Sequence, residues 1–206
     1  MTDTVEAETL EKLRDLTSPT PDHLVELHRR LEIAAESNSA LDLSYTVVDS
    51  PVGPLLLAAT STGLVRVAYE REGFDEVLDT LAAKLGPRIL RSESRLAAAA
   101  AQIGEYFAGH RTDFDLDLDY SLSSGFRQVV QRHLSDIPYG RTESYRDVAR
   151  IVGNPNASRA VGTACATNPL PVVVPCHRVL RTDGTLGGYI GGLEAKTTLL
   201  SLEAAA

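Results

Sequence analysis

The 206-residue chain contains no tryptophan, a single methionine and only two cysteines, Cys165 and Cys176. No apolar run approaches the length needed to cross a bilayer, and the N-terminus lacks the basic-then-apolar order of a secretory signal peptide. Without a signal or a CxxC pair, we expect reduced thiols in a cytoplasmic protein, with no membrane partner. No metal site is expected, because four of the histidines are scattered without ligand spacing: His23, His28, His110 and His133.

The formal net charge of −8 is unevenly distributed along the chain. Residues 1–125 contain 11 Lys and Arg against 22 Asp and Glu, a net charge of −11, whereas residues 126–206 contain 9 against 6, a net charge of +3. A charge excess is usually a solvated surface without a specific partner. The overall acidity therefore does not exclude DNA as a partner of the C-terminal part.

The pattern of apolar residues divides the chain into three segments. Residues 1–41 are predicted to be a helical extension, in which Asp22 could cap the second helix. Residues 42–122 are predicted to form an α/β support domain, and residues 123–206 a mostly helical domain. The fold class is therefore α+β, with a small antiparallel sheet and helices followed by a helical C-terminal domain.

Three strand-like runs and two helices are expected within residues 42–122. The strands are bounded by turn residues, and the helices follow them. A later stretch, Asp113–Asp119, alternates Asp with Phe or Leu, which is typical of a half-buried edge strand or linker but equally of an exposed acidic loop. The predicted strands are 43–48, 55–59 and 64–69, and the predicted helices are 74–85 and 93–108.

Two short helices around a Gly153–Asn156 turn have the layout of a helix-turn-helix. Thr142 or Ser144 could cap the first helix, and the second is predicted from about Ala157 to Thr167. Most helix pairs of this kind bind nothing, so the layout alone leaves DNA binding open. Three residues of the second helix are predicted to face inward, namely Ala160, Val161 and Ala164. The other face carries small side chains and one long cation, so the helix could approach a DNA groove closely. These residues are Asn156, Ser158, Arg159, Thr163 and Thr167.

The segment Val172–Val179 delivers a cysteine with a histidine and an arginine beside it. Its three valines are predicted to form a short buried strand or extended segment that breaks at Pro175. Most buried cysteines are simply small apolar side chains. The neighbouring His177 and Arg178, however, favour the thiolate form of Cys176, which is the form that attacks carbon.

The ordered motifs of the C-terminal segment resemble the O6-alkylguanine-DNA alkyltransferases, also called methylated-DNA–protein-cysteine methyltransferases. The N-terminal part resembles the family more loosely, through Ser50–Leu55 and Gly63-Leu64. The closely matching motifs are Ile137-Pro138-Tyr139-Gly140, Ser144-Tyr145, Arg159-Ala160-Val161-Gly162, Asn168-Pro169, Pro175-Cys176-His177-Arg178-Val179, Asp183-Gly184, Gly188-Tyr189, Gly192-Leu193 and Lys196 through Leu199-Leu200 to Glu203.

The resemblance implies a DNA repair enzyme that works by direct reversal and inactivates itself. It would transfer a methyl or other alkyl group from O6 of guanine, and also from O4 of thymine, to Cys176. His177 would take the thiol proton through a water, and Glu203 would orient that histidine. Asn168 would tie together the turn around the site, and the hydroxyl of Tyr145 would serve the departing guanine.

The resemblance also implies base flipping by a helix-turn-helix in the minor groove of double-stranded DNA. Arg159 would fill the vacated stack, and the backbone N–H of Ile190 would point at the guanine oxygen. The carbonyls of Val174 and Cys176 would accept from the exocyclic amine. Further DNA contacts are assigned to Ala157, Ser158, Thr163 and Tyr145, and further pocket residues are Pro175 and Tyr189.

Two departures from the family pattern bear on these expectations. Many members carry a tryptophan in the first C-terminal helix, where this chain has Val130-Gln131, and we expect only a packing difference. Some relatives bind zinc in the N-terminal domain through cysteines and histidines, but residues 1–125 contain no cysteine, so that site should be missing. We expect a monomer that needs no cofactor.

Each assigned residue also has an ordinary structural explanation. His177 and Arg178 could be surface residues at a turn, and Glu203 a solvated helix charge. Tyr145 could be a packing residue, and Arg159 a phosphate contact. Three other functions stay open: a lesion-binding relative without transfer, a transcriptional regulator, and a cysteine hydrolase. The first normally lacks the cysteine, the second does not need it, and the third requires an oxyanion hole that no motif indicates.

Overall fold

The computed structural model describes residues 20–37 and 40–204. Helix α1, Pro21–Ser37, belongs to a unit of its own, Met1–Leu41. Thr20 Oγ1 accepts a hydrogen bond from the backbone N–H of His23 at 3.3 Å. Thr20 therefore caps this helix, and the prediction that Asp22 does so is wrong, because Pro21 already starts the first turn. The part of the predicted helical extension before residue 20 lies outside the described residues.

A four-stranded sheet of order β3-β2-β1-β4 organises the start of the second unit, Asp42–Ala206. The first three strands pair antiparallel and lie where the sequence predicts them. The fourth strand pairs parallel with β1, so the sheet is mixed rather than wholly antiparallel. The strands are β1 (Leu43–Val48), β2 (Leu55–Ala59), β3 (Leu64–Tyr69) and β4 (Ile89–Arg91).

Both faces of this sheet are covered, which is why every residue of β2 is buried. One face, with Leu56, packs against helix α2 (Phe74–Leu85). The other face, with Leu57, joins the larger core, to which helix α3 (Glu93–Phe107) and the C-terminal helices contribute. Because successive strand residues point to opposite faces, a run with apolar side chains throughout is what a strand covered on both sides requires.

The Asp113–Asp119 stretch runs along the edge of β3 as a linker. The N–H of Leu64 donates to the carbonyl of Asp117, and the N–H of Asp119 donates to the carbonyl of Leu64, both at 2.8 Å. Its Phe and Leu side chains are half-buried, while Asp113, Asp115 and Asp117 are exposed. The alternation of Asp with Phe or Leu thus reflects one covered face of this stretch, which forms no strand of its own.

The C-terminal part is built from helices around one helix-turn-helix. Ser144 caps α5: its Oγ accepts from the N–H of Asp147 at 3.1 Å, and the Asp147 carboxylate accepts from the N–H of Ser144 at 3.3 Å. Ala160, predicted to face inward, is exposed. The helices are α4 (Gly125–Leu134), α5 (Tyr145–Ile151), α6 (Ser158–Ala166) and α7 (Gly192–Ala204), with the short parallel strands β5 (Glu143–Ser144) and β6 (Val179–Leu180).

The valine run before the cysteine is a turn, so the predicted strand or extended segment is wrong. Val172 has a φ of +73°, and the N–H of Val174 donates to the carbonyl of Leu170 at 2.7 Å. All three valines are buried. Burial alone explains their apolar character, and a short apolar run does not distinguish a strand from a buried turn. A positive φ in a β-branched residue is strained, and such strain is common where the chain shapes a site.

Among the described helices, none is both long and apolar enough to cross a membrane. The predicted boundary after residue 122 stays a prediction.

Candidate active site

Cys176 begins a single 3₁₀ turn, Cys176–Arg178, and its side chain is only 2 % exposed. The side-chain amide of Asn168 lies 3.2 Å from the sulfur and donates to the carbonyl of Val174 at 2.8 Å. The oxygen of the same amide accepts from the N–H of Leu170 at 3.1 Å. Asn168 therefore ties the turn before the cysteine to the cysteine itself.

Burial raises the pKa of the Cys176 thiol to about 11, because a thiolate loses its hydration in the core. Three groups act in the opposite direction, namely the Asn168 amide on the sulfur, the positive charge of Lys196 and the backbone N–H of Cys176 itself. The resting cysteine is thus a thiol that needs a base.

His177 and Glu203 form a buried pair next to the cysteine. His177 Nε2 lies 2.8 Å from Glu203 Oε1, and both residues are almost inaccessible to solvent. The surface interpretation of these two residues is therefore excluded. Burial lowers the pKa of His177 from its usual value, so the imidazole is neutral at pH 7.

The Glu203 carboxylate is held in its ionised form by several donors. It accepts from the Tyr106 hydroxyl at 2.7 Å, from Arg178 Nη2 at 2.9 Å and from the N–H of Gly140 at 3.2 Å. Hydrogen bonds from His177 and Arg178 outweigh its burial and lower its pKa to about 2. Arg178 also donates to the carbonyl of Ile137, so its buried guanidinium has a carboxylate as counter-charge and a carbonyl as a second acceptor.

The charge of Glu203 determines which nitrogen of His177 carries the proton. An ionised carboxylate only accepts hydrogen bonds, so the proton of the neutral ring must be on Nε2. Nδ1 is then the unprotonated nitrogen, and within the described residues it has no hydrogen-bond partner. The geometry thus presents a neutral base with its lone pair available, beside a thiol.

Two of the predicted site residues, Tyr145 and Tyr189, lie near this centre. The Tyr189 ring meets the His177 ring edge-on, with centroids 6.3 Å apart and an interplanar angle of 87°. The backbone of Gly187 lies against the Tyr145 hydroxyl, too close for any Cβ. Cys176 interacts electrostatically with both phenols, whose pKa values are raised, mainly by burial. Tyr145 and Tyr189 are therefore protonated donors near the cysteine.

One predicted pocket contact does not fit the structure. The carbonyl of Val174 already accepts from the Asn168 amide and from the N–H of Cys176, both at 2.8 Å. These two donors occupy both lone pairs of the oxygen, so Val174 has no acceptor left for the amine of a guanine. Val174 and Pro175 are themselves buried. The role of Val174 is instead to anchor Asn168 and the turn.

Three of the five predicted DNA-binding residues lie on α6, whereas Ala157 directly precedes this helix and Tyr145 begins α5. Arg159 and Thr163 are exposed, and Ala157 and Ser158 are partly exposed. The buried side-chain amide of Gln131, on α4, donates to the carbonyl of Ala164 at 3.1 Å. This contact holds α6 onto α4. The helix thus presents small side chains and one long cation to solvent.

Family models match both halves of the second unit. Residues 43–120 match "6-O-methylguanine DNA methyltransferase, ribonuclease-like domain", and residues 125–205 match "6-O-methylguanine DNA methyltransferase, DNA binding domain". The chain belongs to the 6-O-methylguanine DNA methyltransferase family. The resemblance stated from the sequence is thereby confirmed.

Relatives within this family match over most of their length. The methylated-DNA–protein-cysteine methyltransferase of Mycolicibacterium paratuberculosis is 44% identical over 168 residues, which cover 78% of this chain and 92% of the relative. That of Methanosarcina acetivorans is 39% identical, covering 77% and 97%. The crystal structure of Mycobacterium tuberculosis O6-methylguanine methyltransferase matches with a TM-score of 0.70 at 36% identity. The crystal structure of Mycobacterium tuberculosis OGT in complex with DNA matches with a TM-score of 0.69 at 37% identity. Each match covers 79% of this chain and 93% of the crystallised chain.

Tyr106 and Lys196 had no role assigned from the sequence, and Arg178 was expected to favour the thiolate of Cys176 rather than to hold Glu203. Tyr106 and Arg178 hold the Glu203 carboxylate, and Lys196 is fully buried with Nζ donating to the carbonyl of Val179 at 2.6 Å. Burial lowers the pKa of Lys196, whereas the nearby thiols raise it. The one available signal was that Lys196 is the sole lysine of residues 126–206 and lies in an apolar helix. For Tyr106 no local signal exists.

Among the described residues, no group of three or more His, Cys, Asp or Glu side chains is placed to hold a metal ion.

Proposed function

We propose that the protein repairs DNA by direct reversal, transferring a methyl or other alkyl group from O6 of guanine to the sulfur of Cys176. O4 of thymine is proposed as a second donor. The observation that carries this proposal is the buried Cys176, with Asn168 on its sulfur and the His177–Glu203 pair beside it, in a member of this family.

The proposed reaction begins when His177 Nδ1 takes the thiol proton through a water molecule. The Nε2–H of the resulting imidazolium still donates its hydrogen bond to Glu203, so the new positive charge faces a carboxylate. The thiolate attacks the alkyl carbon, an S–C bond forms and the O6–C bond breaks. The N–H of Ile190 donates a hydrogen bond to the departing guanine oxygen, and the Tyr145 hydroxyl gives a proton to the base. The His177 imidazolium then returns a proton to the Tyr145 phenolate through water, so the proton lost by the thiol equals the proton gained by guanine.

The product thioether has no leaving route, so each molecule acts once. The cysteine is itself the acceptor, and the proposed reaction therefore uses no cofactor. A monomer in the cytoplasm suffices for this chemistry, since every proposed reacting side chain comes from one chain.

Double-stranded DNA is the proposed partner. Helix α6 would enter the minor groove, where its small exposed side chains allow close approach, and Arg159 would occupy the stack left by the flipped base. The family's DNA binding domain model spans this helix, and a similar chain has been crystallised in complex with DNA.

A product assay tests the proposed function. The protein is incubated with an excess of a duplex bearing one O6-methylguanine, and the DNA is then digested to nucleosides, which are separated. We expect one deoxyguanosine to replace each O6-methyldeoxyguanosine, in proportion to the protein added and without turnover. Release of the free modified base, or binding without any change in the DNA, would contradict direct reversal.

Replacing Arg159 by alanine is expected to slow repair of the duplex about 100-fold, because unstacking a base costs a few kcal/mol that the arginine offsets. Reaction with the free base O6-benzylguanine, which needs no flipping, should be unchanged. Single-turnover rates with both substrates check this. Arg159→Lys is the matched control: if it restores the duplex rate fully, Arg159 acts only as a charge on the phosphates.

The transfer rate is expected to stay level as the pH falls from about 8 to below the usual pKa of histidine, 6.5, and to decline only at more acidic pH. The sign follows from burial, which lowers the pKa of His177 and delays protonation of the base. Single-turnover rates across this pH range provide the measurement. A decline centred at or above pH 6.5 would mean that burial does not lower the pKa of His177.

A further inference from the structure

Strand β3 contacts two segments of the active site, one that precedes Cys176 in the chain and one that follows it. The N–H of Val67 donates to the carbonyl of Pro169 at 2.9 Å, and Arg66 Nη1 donates to the same carbonyl at 3.3 Å. Pro169 follows Asn168, the residue whose amide lies on the sulfur. This half of the strand therefore supports the segment in front of the cysteine.

The last residue of β3, Tyr69, supports the pocket segment Tyr189–Gly191. Its hydroxyl lies 2.9 Å from the hydroxyl of Tyr189, and the two rings meet edge-on with centroids 5.8 Å apart and an interplanar angle of 73°. Burial raises the pKa of both phenols, so each keeps its proton and one hydroxyl donates to the other. The Tyr189 ring thus makes edge contacts with Tyr69 and with His177.

The backbone of the same segment lies directly on the Tyr69 ring. A Cβ added at Gly191 would be 2.5 Å from Tyr69 Cζ, closer than real Cβ contacts come. Tyr189 and Gly191 are therefore both held against one phenol, and Ile190 lies between them in the chain. A segment held at both ends has little freedom to move away from the pocket.

Tyr69 is itself firmly placed. Its side chain is 2 % exposed, and its backbone N–H donates to Glu72 Oε1 at 2.8 Å. The other oxygen of Glu72 pairs with Arg66. Both the strand end and the following turn are thereby fixed, so the position of the phenol is set by the sheet rather than by the pocket.

We propose that Tyr69 is a specificity-determining positioning residue, which holds Tyr189–Gly191 in place and thereby limits the size of the alkyl group that Cys176 accepts. The inference rests on the proposed function. With the hydrogen bond between the Tyr69 and Tyr189 hydroxyls intact, the Tyr189–Gly191 segment resists the displacement that a bulky alkyl group requires. Without this hydrogen bond, the segment moves aside for a large alkyl group, which is then transferred faster. A methyl group needs no such displacement, so its transfer is not accelerated, and it is positioned less well.

The test uses two duplexes of one sequence, bearing O6-methylguanine or O6-benzylguanine, so that DNA binding is common to both. Tyr69→Phe removes the hydroxyl and keeps the ring under Gly191. We expect the ratio of the benzyl to the methyl transfer rate to rise about three- to tenfold, the range of one neutral hydrogen bond. Tyr189→Phe should raise it similarly, and the double variant no further, because all three lose the same contact.

Tyr45→Phe is the matched control, because it removes a phenol hydroxyl from β1 on the other side of the sheet. It should leave the ratio within about twofold of the original, as expected for a site that shares no partner with the pocket. An unchanged or lower ratio in Tyr69→Phe, with the methyl transfer of the unmodified protein intact, overturns the proposal. Failure of the unmodified protein to transfer methyl at all would instead contradict the proposed function.

Discussion

Replacing Glu203 by glutamine is expected to slow alkyl transfer about a thousandfold, since the carboxylate sets the tautomer of His177 and stabilises the imidazolium. The same change should lower the free energy of unfolding by about 3–5 kcal/mol, because it leaves the buried Arg178 without its counter-charge. Glutamine also presents an N–H₂ group to several donors that need an acceptor. Single-turnover kinetics and denaturant unfolding provide the two measurements.

Tyr106→Phe is the matched control for this prediction. It removes one donor from Glu203 and leaves the charge, so the stability loss should be about 1 kcal/mol. A Glu203→Gln variant that transfers alkyl groups at the original rate would contradict the role of the pair.

The acid dependence of stability offers a second readout for Glu203. Its pKa is lowered from 4.5 to about 2 in the folded state. The stability that it contributes is therefore fully present above pH 4.5 and is lost as the pH falls towards 2. In Glu203→Gln this part of the acid dependence should be absent.

Replacing Cys176 by alanine is expected to abolish alkyl transfer completely while binding to the damaged duplex persists. The sulfur is the proposed acceptor, and neither α6 nor the pocket phenols depend on it for their position. Deletion of one small buried group should cost only about 1 kcal/mol of stability. Transfer assays and gel-shift titrations with an O6-methylguanine duplex separate the two properties.

Cys165→Ala is the control for the cysteine prediction. Cys165 is also buried, and burial raises its pKa, so it should react far more slowly than Cys176. This variant should retain transfer. If it loses transfer while Cys176→Ala keeps it, the acceptor has been assigned to the wrong thiol.

The parts of the fold that could be predicted from the sequence are those set by local patterns. The three antiparallel strands follow from apolar runs between turn residues, and the start of α5 follows from the cap at Ser144. Strand β4 was missed because its three residues carry no alternation and pair parallel with a distant strand. The buried turn at Val172–Val174 was mistaken for an extended segment because burial alone dictates its apolar residues.

At the site, the family resemblance pointed to residues whose neighbours the structure then shows. Asn168 beside the sulfur and His177 beside Glu203 are contacts that the motif order implies. The contact of Tyr106 with Glu203 spans 97 residues, and no spacing rule reaches that far. The mistaken role of Val174 has a related cause, because only the coordinates show that its carbonyl is already occupied.

The most direct test of the central claim is peptide mass spectrometry of the protein after reaction with a duplex bearing one O6-methylguanine. The account predicts one added methyl group, located on the peptide that contains Cys176, with the Cys165 position unmodified and no gain with undamaged DNA. A protein that binds the lesion tightly without gaining mass, or gains the methyl group at another residue, would contradict the account.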